Sequence, residues 1–328
     1  MKRDNQFSVV ICAYTEQRWD DLLAAVDSVR RQTLTPREII VVVDHNPAML
    51  ARVRDEIGDV LAVENHQRQG LSGARNSGLR ASSGEYVAFL DDDALAEPDW
   101  LGRLAAGYDD PRVVGVGGVI EPLWSGGRPG WFPAEYDWVV GCTYVGMPTR
   151  RMAVRNLIGA NMSFRRELFH IAGEFTSGIG RVGTRPVGCE ETDFCIRAAE
   201  RLPGSIFLYE PAARVRHRVP PERATLGYFL RRCFAEGNSK VAVTQRSGAN
   251  RGLSSERAYV LRTLPGGIVR HGLKAPLIER DPAGLGRAVM VALGLSVTTA
   301  GYLGGHISKD ALGARFARRS RSLKQSVS

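Results

Sequence analysis

One stretch limits the folds open to this chain more than any other. Tyr86-Val-Ala-Phe-Leu90, a short apolar run preceded by a Ser-Gly pair, is stopped by three consecutive carboxylates, Asp91, Asp92 and Asp93. Such a run reads as a buried strand that delivers acids to the edge of a sheet. Adjacent carboxylates repel one another, so a fold that gathers them at a strand end needs a cation or solvent beside them. A hard divalent ion shared with substrate phosphates suits oxygen donors of this kind; taken alone, the three acids equally suit a solvated turn.

The neighbouring segments decide which sheet this strand joins. Phe7 to Ala13 is almost continuously apolar, as in a strand buried on both faces. Asp20 and Asp21 then precede Leu22, Leu23, Val26 and Val29 at helical spacing. A second strand, Glu38 to Val43, stops at Asp44, and helical residues from Met49 to Ile57 lead to a short strand at Leu61 to Val63. A helix from Ser72 to Ala81 completes the approach to the acidic strand. Strands alternating with helices predict an α/β fold on a doubly wound, mostly parallel sheet. Such sheets bind ligands at the carboxyl ends of their strands. Tyr14, Thr15 and Glu16 follow the first strand, Asp44 the second and Asp91 to Asp93 the fourth, so three polar groups converge on one edge. No G-x-x-x-x-G-K-[ST] occurs and no G-x-G-x-x-G follows the first strand, which weighs against a P-loop NTPase and a dinucleotide dehydrogenase.

Gly70-Leu-Ser-Gly-Ala-Arg75-Asn-Ser-Gly78 is Gly-rich and carries a cation. Arg75 suits contact with a phosphate or base; the glycines equally suit close packing and a turn before a helix. After a strand at Val113 to Val119 the pattern loosens, and Trp124, Trp131 and Trp138 fall in an irregular stretch. Their rings fit either a platform for a sugar face or core filling under a long loop. Strand and helix return between Arg155 and Phe169. Glu190, Glu191 and Asp193 then open a helix, after a Gly-rich loop, where acids favour the first turn. One or two of these acids serve as caps, but the adjacent Glu190 and Glu191 favour chemistry, because crowding raises one pKa toward the range of a general base. Ile206 to Tyr209 reads as the last strand, followed by Arg214-Val-Arg-His217-Arg218 and a helix from Thr225 to Thr244.

Charge divides the chain. Residues 1 to 196 carry 21 Lys and Arg against 27 Asp and Glu, whereas residues 197 to 328 carry 23 against 8. The acidic part suits a metal-using core and the basic part an anionic surface. Cys12, Cys142, Cys189, Cys195 and Cys233 include no C-x-x-C pair, which argues against a disulfide framework or structural zinc and for a reducing cytoplasmic compartment. Met1 to Gln6 lacks the apolar core of a signal peptide. Ala288 to Gly305 is free of charge and precedes Lys309, Arg315, Arg318, Arg319, Arg321 and Lys324. That pattern predicts a helix docked on the protein or lying at a membrane surface, its basic tail drawn to anionic lipid. No aromatic-interleaved basic motif supports nucleic-acid binding.

Together these motifs resemble glycosyltransferase family 2, inverting transferases with an A-type nucleotide-sugar-binding (GT-A) fold. The resemblance is carried by Val9-Val-Ile-Cys-Ala-Tyr-Thr-Glu16, Ile39-Ile-Val-Val-Val-Asp44, the Gly70 to Gly78 segment, Phe89-Leu-Asp-Asp-Asp93, Gly159-Ala-Asn-Met-Ser-Phe-Arg-Arg166 and Cys189-Glu-Glu-Thr-Asp-Phe-Cys-Ile-Arg197. It covers residues 7 to 240, implying a catalytic domain over 1–240 and a helical basic extension over 241–328. Within the family, the segment Val116 to Trp124, the segment Phe132 to Gly141 and Val154 to Phe164 look most like transferases that add a sugar such as glucuronate to a lipid-linked sugar. Two departures stand out: His45 replaces a frequent second Asp, and Glu191 the commoner Asp of an E-D pair.

The resemblance implies a nucleoside-diphosphate-sugar donor, with uridine favoured, and an acceptor hydroxyl on a glycan or polyprenyl-phosphate-linked sugar. Ala13, Tyr14, Glu16 and Asp44 would hold base and ribose, and Asp91 the ribose or metal; Arg75 and Asp92 join the donor side. Asp93 and His217 would ligate Mg²⁺ or Mn²⁺, and Glu191 would deprotonate the acceptor at the cytoplasmic membrane face. A non-catalytic nucleotide-sugar or membrane-associated binding protein is the alternative, but it has no need of the base. A sugar-1-phosphate nucleotidyltransferase would require a basic Gly-rich loop after the first strand, which Tyr14-Thr-Glu-Gln-Arg18 does not supply.

Overall fold

A computed structural model of the chain describes residues 4–178, 181, 188–247 and 257–325. Most of the Gly-rich loop before Glu190 and the basic side chains from Lys309 to Lys324 lie outside the described residues. Two compact units result, Met1–Ala224 and Thr225–Ser328. The expected boundary after residue 240 falls inside a helix of the second, α7 (Leu226–Ser247).

In the first unit, β1 (Phe7–Ala13), β2 (Glu38–Val43), β3 (Leu61–Glu64) and β4 (Tyr86–Asp91) are parallel in the order β3-β2-β1-β4. Helices α1 (Trp19–Arg30), α2 (Pro47–Glu56) and α3 (Leu71–Ala81) connect them, and α4 (Trp100–Gly107) follows the acidic turn after β4. This half matches the doubly wound expectation, and β1 and β2 are buried nearly throughout because both faces are covered. Beyond β4 the sheet is mixed. Its order continues through β8 (Asn161–Arg165), β6 (Val113–Trp124), β9 (Ile206–Val219) and β5 (Ala94–Ala96), with β7 (Met152–Val154) also on β9. β8 runs antiparallel to both β4 and β6. The stretch between β6 and β8 holds a short 3₁₀ turn, Ala134–Val140, and β7, but no α-helix of the kind that usually makes a parallel crossover.

One strand is longer than its sequence suggests. β9 does not stop at Tyr209 but runs to Val219, so His217 lies within it. Its outer half alternates buried Val215, His217 and Val219 with exposed Arg214, Arg216 and Arg218, the period of a half-buried strand hidden in a basic segment. There β6 and β9 approach so closely that a Cβ on Gly118 would lie 1.8 Å from the Ala213 carbonyl oxygen. Only glycine fits.

The core beneath β8 is aromatic. Phe164 of β8 meets Phe194 edge-on at 5.0 Å, and Phe194 stacks on Phe169 at 4.6 Å. Phe194 belongs to α6 (Glu190–Arg201) and Phe169 to α5 (Leu168–Ala172), so these rings fix where α6 begins. The irregular stretch fills core of its own, with Phe132 and Tyr136 fully buried and Trp124 edge-on to Phe132 at 5.1 Å.

In the second unit, α7 packs on the C-terminal helix Ala283–Gln325 backbone to backbone. A Cβ on Gly301 would sit 2.1 Å from the Phe234 carbonyl oxygen, a contact open only to the smallest residue. Within that helix, Ala283–Ile307 is long and apolar enough to cross a membrane, with mean hydropathy 1.5. Shorter helical segments run from Tyr259 to Leu277.

Candidate active site

The acids arrive as the sheet edge requires: Asp91 ends β4, and Asp92 and Asp93 turn the chain into β5. Antiparallel pairing of β5 with β9 sets Ala94 opposite His217. That register brings His217 Nε2 to 3.0 Å from Asp93 Oδ1. Ligand atoms of Asp91, Asp93 and His217 lie within 4.8 Å of one another. Asp93 and His217 are buried and Asp91 is partly open.

Two arginines complete this corner. Arg18 Nη1 lies 2.9 Å from Asp92 Oδ1 and 3.1 Å from Asp93 Oδ2, and Arg223 Nη2 is 3.4 Å from Asp93 Oδ2. Burial alone would raise the Asp93 pKa, but His217, Arg18 and Arg223 hold its carboxyl well below the usual range. Asp92 behaves oppositely. Burial and the neighbouring Asp93 push it up to about 7, and its Oδ2 is buried without a hydrogen-bond partner. Two carboxylates and an imidazole within one coordination sphere, beside that unpartnered buried oxygen, fit a divalent ion accepting oxygen and nitrogen ligands.

Asp92 carries a pH signature. An acid whose pKa is raised by folding stabilises the native state below its unfolded pKa and loses that contribution as pH rises through the folded value. In metal-free buffer the urea midpoint is expected to fall between about pH 4 and pH 7, and Asp92→Asn should flatten that slope. An unchanged slope in the variant would mean that Asp92 is not the group responsible.

A second cluster lies at the start of α6. Arg75, only 2% exposed, places Nη1 2.7 Å from Glu190 Oε1 and Nη2 3.4 Å from Asp91 Oδ1, and donates to the Gly159 carbonyl at 3.1 Å. It therefore ties α3 to the end of β4, the first turn of α6 and the loop before β8. Burial works against its charge, while Glu190, Asp91 and more weakly Glu191 raise its pKa. The predicted acids of α6 separate: Glu190 is buried on Arg75, and Asp193 accepts from Thr176 Oγ1 at 2.7 Å and from Arg197 at 3.0 Å. Glu191 is the more open neighbour of Glu190.

The third group surrounds Asp44, 8% exposed at the end of β2. Its carboxylate accepts from Asn65 Nδ2 at 2.6 Å and from the Gly70 N–H at 2.9 Å, while its own N–H donates to the Ala13 carbonyl at 2.8 Å. Asp44 thus sets the loop that enters α3 at Gly70, whose φ of 125° is in the range that favours glycine. The Tyr14 carbonyl accepts from Asn46 Nδ2 at 3.3 Å, and the Tyr14 ring lies under Arg18 at 5.5 Å. Glu16 is exposed, 4.0 Å from Arg52.

Sequence reasoning missed Arg18 and Arg223. The signal available was electrostatic, since three crowded acids call for counter-charge from elsewhere in the chain.

Comparison with known proteins gives a consistent picture. The model of "Glycosyl transferase family 2" matches residues 8–171. The chain is 38% identical over 237 residues to a glucosyl-dolichyl phosphate glucuronosyltransferase from Haloferax volcanii, covering 71% of this chain and 75% of that protein. It is 28% identical to the succinoglycan biosynthesis protein ExoM of Rhizobium meliloti, covering 77% and 76%. Among solved structures, a mannosyltransferase from Pyrobaculum calidifontis in complex with GDP-Man and Mn2+ superposes with a TM-score of 0.55 at 17% identity, covering 90% and 87%. That likeness establishes the GT-A fold.

Proposed function

The chain belongs to glycosyl transferase family 2 and is a glycosyltransferase, and from that premise we propose an inverting, metal-dependent transfer from a nucleoside-diphosphate sugar to a lipid-linked sugar. The observation that carries this reading is the meeting of Asp91, Asp93 and His217 at the sheet edge, joined through Arg75 to the helix that bears Glu191.

Asp91, Asp93 and His217 would hold Mg²⁺ or Mn²⁺, which when bound neutralises charge developing on the departing diphosphate. Asp44, Ala13, Tyr14 and Glu16 would line the base and ribose, with uridine the favoured base. Asp92 and Arg75 support that side from within the protein. Glu191 would accept the proton of the acceptor hydroxyl as its oxygen attacks the anomeric carbon opposite the leaving group. One displacement inverts that centre. The Haloferax relative acts on a dolichyl-phosphate-linked sugar by its name, which supports a glucuronosyl- or hexosyltransferase working peripherally at the cytoplasmic face of a membrane.

Calorimetric titration of UDP, GDP, ADP and TDP, each with and without Mn²⁺, tests the donor site. One nucleotide is expected to bind with Mn²⁺ and to lose affinity in Asp93→Asn by more than the ~10–100-fold that loss of an outer-shell partner costs. Unaltered Mn²⁺-dependent binding in Asp93→Asn would refute the ligand assignment.

A further inference from the structure

The second unit has a surface that ordinary packing leaves unexplained. In the helical segments from Tyr259 to Leu277, Leu264, His271 and Ala275 are buried, within a stretch packed against the C-terminal helix. Val269, Leu273 and Leu277 recur every four residues and are 57%, 58% and 77% exposed. Four-residue spacing keeps side chains on one helix face. The segment thus has a packed stripe and a separate apolar stripe turned to solvent, the reverse of a soluble amphipathic helix.

Cations border that stripe. Arg262, Arg270, Lys274 and Arg280 are exposed beside it, with Lys274 3.4 Å from Glu279. Residues 225 to 328 carry 17 Lys and Arg against five Asp and Glu. Leu285 and Val289 extend exposed apolar surface onto the C-terminal helix at 56% and 64%. Leucines facing outward between basic residues match the boundary of an anionic bilayer, where apolar side chains enter the acyl region and long cationic ones reach the head groups.

We propose that Val269, Leu273 and Leu277 insert into an anionic membrane leaflet, making the 259–277 segment an interfacial anchor distinct from the Ala283–Ile307 helix. The proposal rests on the membrane-face location given above and names the element that creates it. A face that inserts would hold the second unit at the lipid surface by apolar burial rather than by charge alone.

Flotation of the full chain with vesicles of phosphatidylcholine alone, and with equimolar phosphatidylglycerol, tests this. Wild type should float with both, more strongly with the anionic vesicles, and remain bound when salt screens surface charge. Leu273→Glu/Leu277→Glu, at exposed positions, should lose about 10²-fold in partitioning. Its nucleotide titration should match wild type, which separates failure of anchoring from failure of the donor site. Equal partitioning by the variant, or complete release of wild type by salt, would overturn insertion. So would a dimer that disappears in the variant while vesicles are ignored, since the stripe would then join two copies of the chain.

Discussion

Glu191→Gln is expected to cut the transfer rate by about 10²–10⁴-fold while nucleotide affinity stays near wild type. The substitution keeps size and hydrogen-bonding reach but removes the capacity to accept a proton. Its neighbours in the first turn of α6 supply the contrast, since Glu190 pairs with Arg75 and Asp193 accepts from Thr176 and Arg197. Glu190→Gln should therefore behave differently, disturbing stability through Arg75 before chemistry. Initial rates with a lipid-linked acceptor, alongside nucleotide titration, distinguish the two. Full turnover by Glu191→Gln would remove it as the base.

Arg75→Met should destabilise the protein by about 3–5 kcal/mol, read from urea unfolding, because it leaves buried carboxylate charge without its partner. Glu190 is 4% exposed, and its second oxygen already has no hydrogen-bond partner. A second substitution should reverse part of the loss: Arg75→Met/Glu190→Gln removes the stranded charge and is expected to recover stability in a double-mutant cycle. A loss below about 1 kcal/mol in the single variant would mean the pair behaves as an exposed one.

Legibility in the sequence followed burial. β1, β2 and β4 are apolar runs ended by polar residues, so both the strands and the edge on which those polar residues gather could be read directly. The outer half of β9 could not, because every second residue is an arginine and the buried valines between them give a weak signal. Nor could the antiparallel entry of β8, which depends on a missing crossover rather than on any residue. Arg75 shows a different limit: a cation in a Gly-rich segment suggests a phosphate, whereas its partners here are Glu190 and Asp91, drawn from distant parts of the chain. The crowded acids called for counter-charge, but nothing located it at Arg18 and Arg223, since ion pairs between remote segments leave no local pattern.

The register that opposes Ala94 to His217 has a consequence for the order in which the protein comes into being. During synthesis the three aspartates emerge early and the imidazole emerges last, on the final strand of the sheet. A nascent chain ending at β8 would carry the acids but not the imidazole of the proposed ligand set. If Asp91, Asp93 and His217 hold a divalent ion as proposed, full affinity for it belongs only to molecules whose last strand has docked. An ion that binds native chains in preference to unfinished ones shifts the equilibrium toward them by mass action, so the contact proposed to hold the metal would also reward completion of the sheet.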